Sequence, residues 1–128
     1  LPPMRFESTD GFPIYVGRNN RQNDELTFKL ARKDDVWCHA SKVHGSHVII
    51  SCGGQKPPDD TVTQAAQLAA YYAETGGGQN IPVDVTTVKQ VKKTPGGKPG
   101  MVIYHTYRTA IVNPYPDIRV DPLNAEQK

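Results

Sequence analysis

The segment "DDTVTQAAQLAAYYAE", residues 59–74, constrains the fold more than any other. Its apolar positions Val62, Ala65, Ala66, Ala69, Tyr72 and Ala73 recur at i, i+3, i+4, i+7, i+10 and i+11, the period of a helix with one apolar face. Most of those positions are alanine, which has no side chain to reach across a gap, so the helix must lie close against whatever covers it. Thr61 and Gln64 have the spacing of a capping box, and Gly76 to Gly78 mark the stop.

The cover for such a face is a sheet, and the rest of the chain supplies strands. Two short runs, "MRFES" and "PIYVG" within residues 4–17, flank an Asp10-Gly11 turn and predict a hairpin. "DVWCHA" (35–40) and "SHVIIS" (46–51) are rich in β-branched and aromatic residues and predict a second pair across a Gly45-containing loop. Residues 82–93, 101–107 and 108–113 predict three more strands, the first two joined by the loop "TPGGKPG". Residues 18–32, "RNNRQNDELTFKLAR", begin with cap-type asparagines and carry Leu26, Leu30 and Ala31 at helical spacing, predicting the second helix; Leu26, Phe28 and Leu30 also alternate as in a strand. The expected fold is α+β, a mostly antiparallel sheet with two helices packed on it, both on one face.

A chain of 128 residues, 37% hydrophobic and 22% charged, fits one globular domain over 1–128. No apolar run approaches the roughly 20 residues of a membrane helix, so no membrane partner is expected and the location is expected to be cytoplasmic. Cys38 and Cys52 fall in strand-like segments, as reduced thiols do, though a single bridge stays open. The start "LPPMRF" lacks an initiator methionine and residues 114–128 are polar, as expected of an excised C-terminal domain with a tail.

The formal charge of +2 is unevenly spread: residues 89–108 hold Lys89, Lys92, Lys93, Lys98 and Arg108 with no acid, and residues 59–88 hold Asp59, Asp60, Glu74 and Asp84 with no base. A lysine-rich segment of this kind suits a polyanion, because each neutralised phosphate releases counterions; a solvated hairpin kept soluble by its charge is the plainer alternative.

Chemistry concentrates in "DDVWCHASKVHGSHVIISC", residues 34–52, with the lone tryptophan, three histidines and both cysteines. Cys38, His39, His44, His47 and Cys52 offer zinc ligands, but adjacent Cys38 and His39 on a strand point to opposite faces, which disfavours a shared ion and a Cys-His dyad alike. Acid-base chemistry by His39, His47 or His105 is conceivable, yet no spacing singles it out. Alternation puts Asp35, Trp37 and His39 on one face and Val36, Cys38 and Ala40 on the core side. An indole, an imidazole and a carboxylate together can stack a base and bond its edge or a 2′-hydroxyl. A core tryptophan is the competing reading, and composition leaves the two open.

Taken in order, "VGRNNRQNDELTFKLAR", "DDVWCHAS", "GSHVII", "AAQLAAYYAE", "IPVDVTTVKQVKK" and "GGKPGMVIYHTYRTAIV" resemble the RNA-binding domain of the NFACT family, in its bacterial RqcH form, over residues 5–113. The family's D-x-W-x-H motif matches Asp35, Trp37 and His39. Its R-N-N-x-Q-N-D motif matches Arg18, Asn19, Asn20, Gln22, Asn23 and Asp24, and its G-S-H-V motif Gly45, Ser46, His47 and Val48. One departure is His44 where family members commonly have proline. The resemblance implies a non-enzymatic RNA-binding domain of a ribosome-associated quality-control factor. Such a factor engages obstructed large ribosomal subunits and supports alanine tailing of stalled chains. Implied partners are tRNA, 23S rRNA and the large ribosomal subunit, with the parent chain's remaining domains, and no metal or other cofactor. The expected RNA contacts are Asp35, Trp37, His39, Arg18, Asn19, Asn20, Arg21, Asn23, Asp24, Ser46 and His47, joined by Lys89, Lys92, Lys93 and Lys98. An extracellular-matrix (fibronectin) binding module, the family's older label, and a metal-dependent hydrolase are the rival readings.

Overall fold

A computed structural model describes residues 1–114; the polar tail from 115 onward lies outside the described residues. Strands β1 (Met4–Glu7) and β2 (Pro13–Val16) form the expected hairpin. Helix α1 (Asn20–Glu25) runs into a π-helical turn, Leu26–Leu30. There follow β3 (Val36–Ala40), β4 (Val48–Ile50), α2 (Asp59–Tyr71) and β5 (Ile81–Thr87). A 3₁₀ turn at Val88–Gln90 leads to the short ladder of β6 (Lys92–Lys93) with β7 (Val102–Ile103), and β8 (Arg108–Val112) closes the described chain. The main sheet has the order β1-β2-β4-β3-β5-β8, antiparallel throughout, so the fold is α+β as the sequence predicts.

Helix α2 covers one sheet face. Its Val62, Ala65, Ala66, Leu68, Ala69 and Ala70 bury against Ile14, Val16, Cys38, Val48, Ile50 and Val83. The alanines bring helix and strands into the close approach that their small size demands. Cys38 and Cys52 are unbridged and buried here, and burial pushes the Cys38 thiol up to about 12.

The opposite face has its own core of Leu26, Trp37, Ile49, Val88 and Val91, edged by Tyr15, Phe28, Val102 and Tyr104. Pairing of Trp37 with Ile49, and of Cys38 with Val48, fixes these as alternate faces. The helices therefore take opposite faces, not one, because Leu26 and Phe28 of the π turn have their own apolar surface to cover. The predicted strand 82–93 is broken for the same reason: the 3₁₀ turn swings Val88 and Val91 into this second core.

Two end signals act differently from their sequence reading. Thr61 and Gln64 do not cap α2, whose N-cap is Pro58 without a side-chain bond. The Thr61 hydroxyl donates to Asp10 Oδ2 (2.9 Å) and accepts from Ser8 Oγ (2.8 Å), while Gln64 accepts from Thr9 N (3.0 Å) and donates to Thr9 Oγ1 (3.1 Å). Both clamp the β1–β2 turn onto the helix. At its other end α2 stops at Tyr71, before Gly76, because residues 72–74 leave to bond residues 44–46: Ser46 N donates to Tyr72 O (3.1 Å) and Glu74 N to His44 O (2.8 Å).

This crossing depends on Gly45, where a Cβ would sit 2.8 Å from the Ala73 Cβ. We expect Gly45→Ala to cost about 1–3 kcal/mol by forcing the two segments apart, read as a lower urea midpoint. An unchanged midpoint would show that residues 72–74 yield freely.

Candidate nucleic-acid interface

Alternation does place Asp35, Trp37 and His39 on one face, but that face is covered. Trp37 is 0% exposed and Asp35 4%, so the outward recognition face expected from the sequence is corrected to an inner one. The second core closes over the indole, with Tyr104 edge-on at 4.9 Å. Asp35 serves as a brace: one carboxylate oxygen accepts from Arg32 N (2.9 Å), the other from Cys52 N (3.0 Å). His39, partly buried, stacks flat on the indole, with ring centres 5.7 Å apart and planes 6° apart. Its register partner Asp84, itself buried, accepts from the hydroxyls of Tyr104 (2.5 Å) and Thr109 (3.1 Å). Burial, then the donation from Tyr104 to Asp84, pushes the Tyr104 phenol upward.

His47 completes a chain of hydrogen bonds whose directions follow from the partners. Trp37 Nε1 can only donate and does so to Thr27 Oγ1 (3.2 Å); the Gly100 carbonyl can only accept, and lies 3.0 Å from His47 Nε2. His47 therefore carries its proton on Nε2, and its bare Nδ1 accepts from the Thr27 hydroxyl at 2.8 Å. Burial, followed by the neighbouring His39, pushes the His47 imidazole down to about 3, and burial lowers His39 as well. Both rings are neutral at physiological pH, which suits packing better than phosphate capture.

The R-N-N-x-Q-N-D stretch is split between structure and surface. Asn19 caps α1 by accepting from Gln22 N (2.9 Å), and Gln22 Oε1 accepts from Arg18 N (2.9 Å). Asn23 is buried; its Oδ1 accepts from His47 N (3.0 Å) and fills the space left by the missing side chain of Gly17. Asp24 ion-pairs with Lys93 (3.2 Å) and accepts from Gly100 N (3.4 Å), pinning the loop 94–100 to the helix. Asn19, Asn20 and Arg21 are exposed and Arg18 partly so, its Nε donating to Pro2 O (2.8 Å).

What remains outside is a strip. A groove of about 690 Å³ runs between Arg18, Asn19 and Asn20 on one side and Tyr71, Tyr72 and Glu74 on the other, over a floor containing His44, Gly45 and Ser46. Asn20 touches Gly100 through its backbone oxygen, with 3.1 Å to an ideal Cβ on that glycine, so the groove adjoins the lysine-bearing loop. Lys89, Lys92, Lys93 and Lys98 are all exposed, although Lys93 is held by Asp24 and lies 5.3 Å from the Phe28 ring centre. The sequence reading missed Tyr71, which is 50% exposed. The signal was the Tyr71-Tyr72 pair itself, since neighbours on a helix end cannot both face the core. Among the described residues no three His, Cys, Asp or Glu side chains gather as metal ligands, and no helix is long and apolar enough to cross a membrane.

Residues 3–106 match the family model described as the NFACT protein RNA binding domain. The chain is 43% identical over 112 residues to the Rqc2 homolog RqcH of Bacillus subtilis, covering 88% of this chain and 19% of that protein. It is 50% identical over 101 residues to the RqcH of Streptococcus pneumoniae, covering 79% and 18%. A solved structure, the C-terminal part of the fibronectin/fibrinogen-binding protein from Streptococcus suis, superposes with a TM-score of 0.86 at 44% identity, covering 91% of this chain and 47% of that one. The chain thus spans about a fifth of the length of these RqcH proteins.

Two outcomes follow from the buried chain of hydrogen bonds. Trp37→Ala should destabilise the fold by about 3–5 kcal/mol, read by urea unfolding; a stable variant with altered RNA binding would put the indole back on the surface. The second concerns pH. Because folded His47 titrates near 3 and an ordinary histidine near 6.5, the unfolded chain takes up a proton that the folded chain refuses between those values. Stability is full above that window and falls as pH falls through it, His39 adding in the same direction. His47→Gln should lose about one proton of that dependence; an unaltered slope in stability against pH would contradict the assignment.

Proposed function

The chain belongs to the NFACT RNA-binding-domain family in its RqcH form, and on that premise we propose that it is the RNA-binding domain of a cytoplasmic ribosome quality-control factor. In this reading it contacts tRNA, 23S rRNA or both on obstructed large subunits, within a longer protein that supports alanine tailing of stalled chains. It does so as a binding module and not as an enzyme. The observation that carries the reading is the continuity of the strip: Arg18, Asn19 and Asn20 border one groove, and Asn20 abuts the loop that holds Lys98.

A division of labour follows. Lys89, Lys92 and Lys98 contact phosphates and supply affinity, with Arg18 and Arg21 extending the positive track. Asn19, Asn20 and Ser46 give polar contacts in the groove, where shape and unpaired bases are read. Asp35, Trp37, Asn23 and His47 act from beneath by holding α1, β4 and loop 94–100 in register. His39 and Asp24, partly exposed, border the buried network and the strip.

Adhesion to fibronectin or fibrinogen is the second reading, favoured by the name of the Streptococcus suis protein. The two separate on salt dependence. Every phosphate that a variant no longer neutralises should flatten the slope of log K against log salt by about 0.7–0.9, so Lys92→Ala with Lys98→Ala is expected to remove about twice that. Lys93 is left in place because its ion pair with Asp24 is part of the fold. The measurement is binding of the 128-residue chain to purified large subunits and to tRNA over a salt series. Salt-independent RNA binding, or fibronectin binding with none to RNA, would sink the proposal.

A further inference from the structure

We propose that the groove over His44, Gly45 and Ser46 receives one unpaired nucleotide, its base stacked on Tyr71 and its phosphate toward Arg18. This deepens the RNA-binding reading and rests on it.

The groove has two unlike walls. Residues 44–46 lie between them, bonded on one side to residues 72–74 through Ser46 N to Tyr72 O and Glu74 N to His44 O. On the other side Ser46 Oγ donates to Gly17 O at 2.7 Å. One wall carries the cation Arg18 with the amides of Asn19 and Asn20; the other carries Tyr71 and the carboxylate Glu74. A phosphate is attracted to the first wall and repelled by the second, whereas a base finds an aromatic ring and an acceptor for its amino group on the second. The polarity of the groove therefore fixes which way round a nucleotide enters.

Tyr71 is suited to stacking because it is half exposed yet not loosely held. Tyr72 meets it edge to face, with ring centres 4.9 Å apart and planes at 87°, and Tyr72 itself packs 6.2 Å from Phe6 in the core. A ring positioned in advance loses little freedom on binding. The groove's volume of about 690 Å³ falls in the range of small-ligand sites. A base inside a duplex is stacked on both faces and cannot enter between two walls, so the ligand must be a single-stranded loop, bulge or end.

The test compares a short oligocytidylate with a blunt RNA duplex of the same length, both titrated into the 128-residue chain. Tyr71→Ala should weaken the single strand about 5- to 150-fold and leave the duplex unchanged, while Tyr71→Phe, which keeps the ring, should restore single-strand binding. Emission from the buried Trp37 checks that each variant is folded. If Tyr71→Ala binds both RNAs as the parent does, or loses both alike, the nucleotide site is wrong. Loss of binding in the Lys92 and Lys98 variant alone would then leave the broader RNA-binding reading standing, and an absence of RNA binding in the parent chain would remove both.

Discussion

The run of hydrogen bonds from Trp37 through Thr27 and His47 to Gly100 is the constraint on which the rest of the molecule depends. It joins four parts of the chain: β3, the π turn, the residue that leads into β4 and the end of the loop 94–100. Every donor and acceptor in it is directed, so the network has one arrangement and not several. A buried polar group left unpaired costs about 1–3 kcal/mol, against a net gain of about 1 kcal/mol for a bond well made. Breaking any link would strand the next, which is why a polar chain inside an apolar core specifies geometry more than it adds stability.

That geometry explains why residues that read as recognition elements are interior. Asp35, Trp37 and His39 share a face, as alternation requires, but period-2 alternation says only that they share it and not what lies over it. The cover comes from residues far along the chain, Val88, Val91, Val102 and Tyr104, and from the π turn. Nothing local to residues 35–39 announces this. The same limit accounts for the helices: their periodicity located both, yet which face each takes was decided by long-range packing.

Other features were legible for sound physical reasons. The alanine face of α2 demanded a close sheet and has one, the hairpin around Asp10-Gly11 formed, and residues 18–32 chose helix over strand because Asn19 supplies a cap. Thr61 and Gln64 misled because the atoms that suit capping also suit a clamp, and the β1–β2 turn, some fifty residues away in sequence, offered better partners. Tyr71 was legible only through its pairing with Tyr72, because α2 ends at Tyr71 itself, well before the Gly76 stop that the sequence offers. That ending is set by the bridge between Gly45 and Ala73, which no local signal encodes.

The interior network and the outer strip are one mechanism seen from two sides. Asn23 holds His47 by its backbone and Asp24 holds Gly100 and Lys93, while their neighbours Asn19 and Asn20 border the groove. A helix of six residues followed by a π turn would be marginal alone, so its first turn can present polar groups to a ligand only because its buried side is tied down. Net charge says little here. What suits a polyanion is the exposed set of Lys89, Lys92 and Lys98 with no acid among residues 89–108, while Asp24 of α1 is paired with Lys93, Asp84 is sealed beneath Tyr104 and Thr109, and Asp59 and Asp60 stand at the start of α2, on the opposite sheet face. Adding one acid to the cation-bearing side of the strip, opposite Glu74, would alter the field at the ligand more than adding several elsewhere, because screening confines each charge to about 8–10 Å at physiological salt.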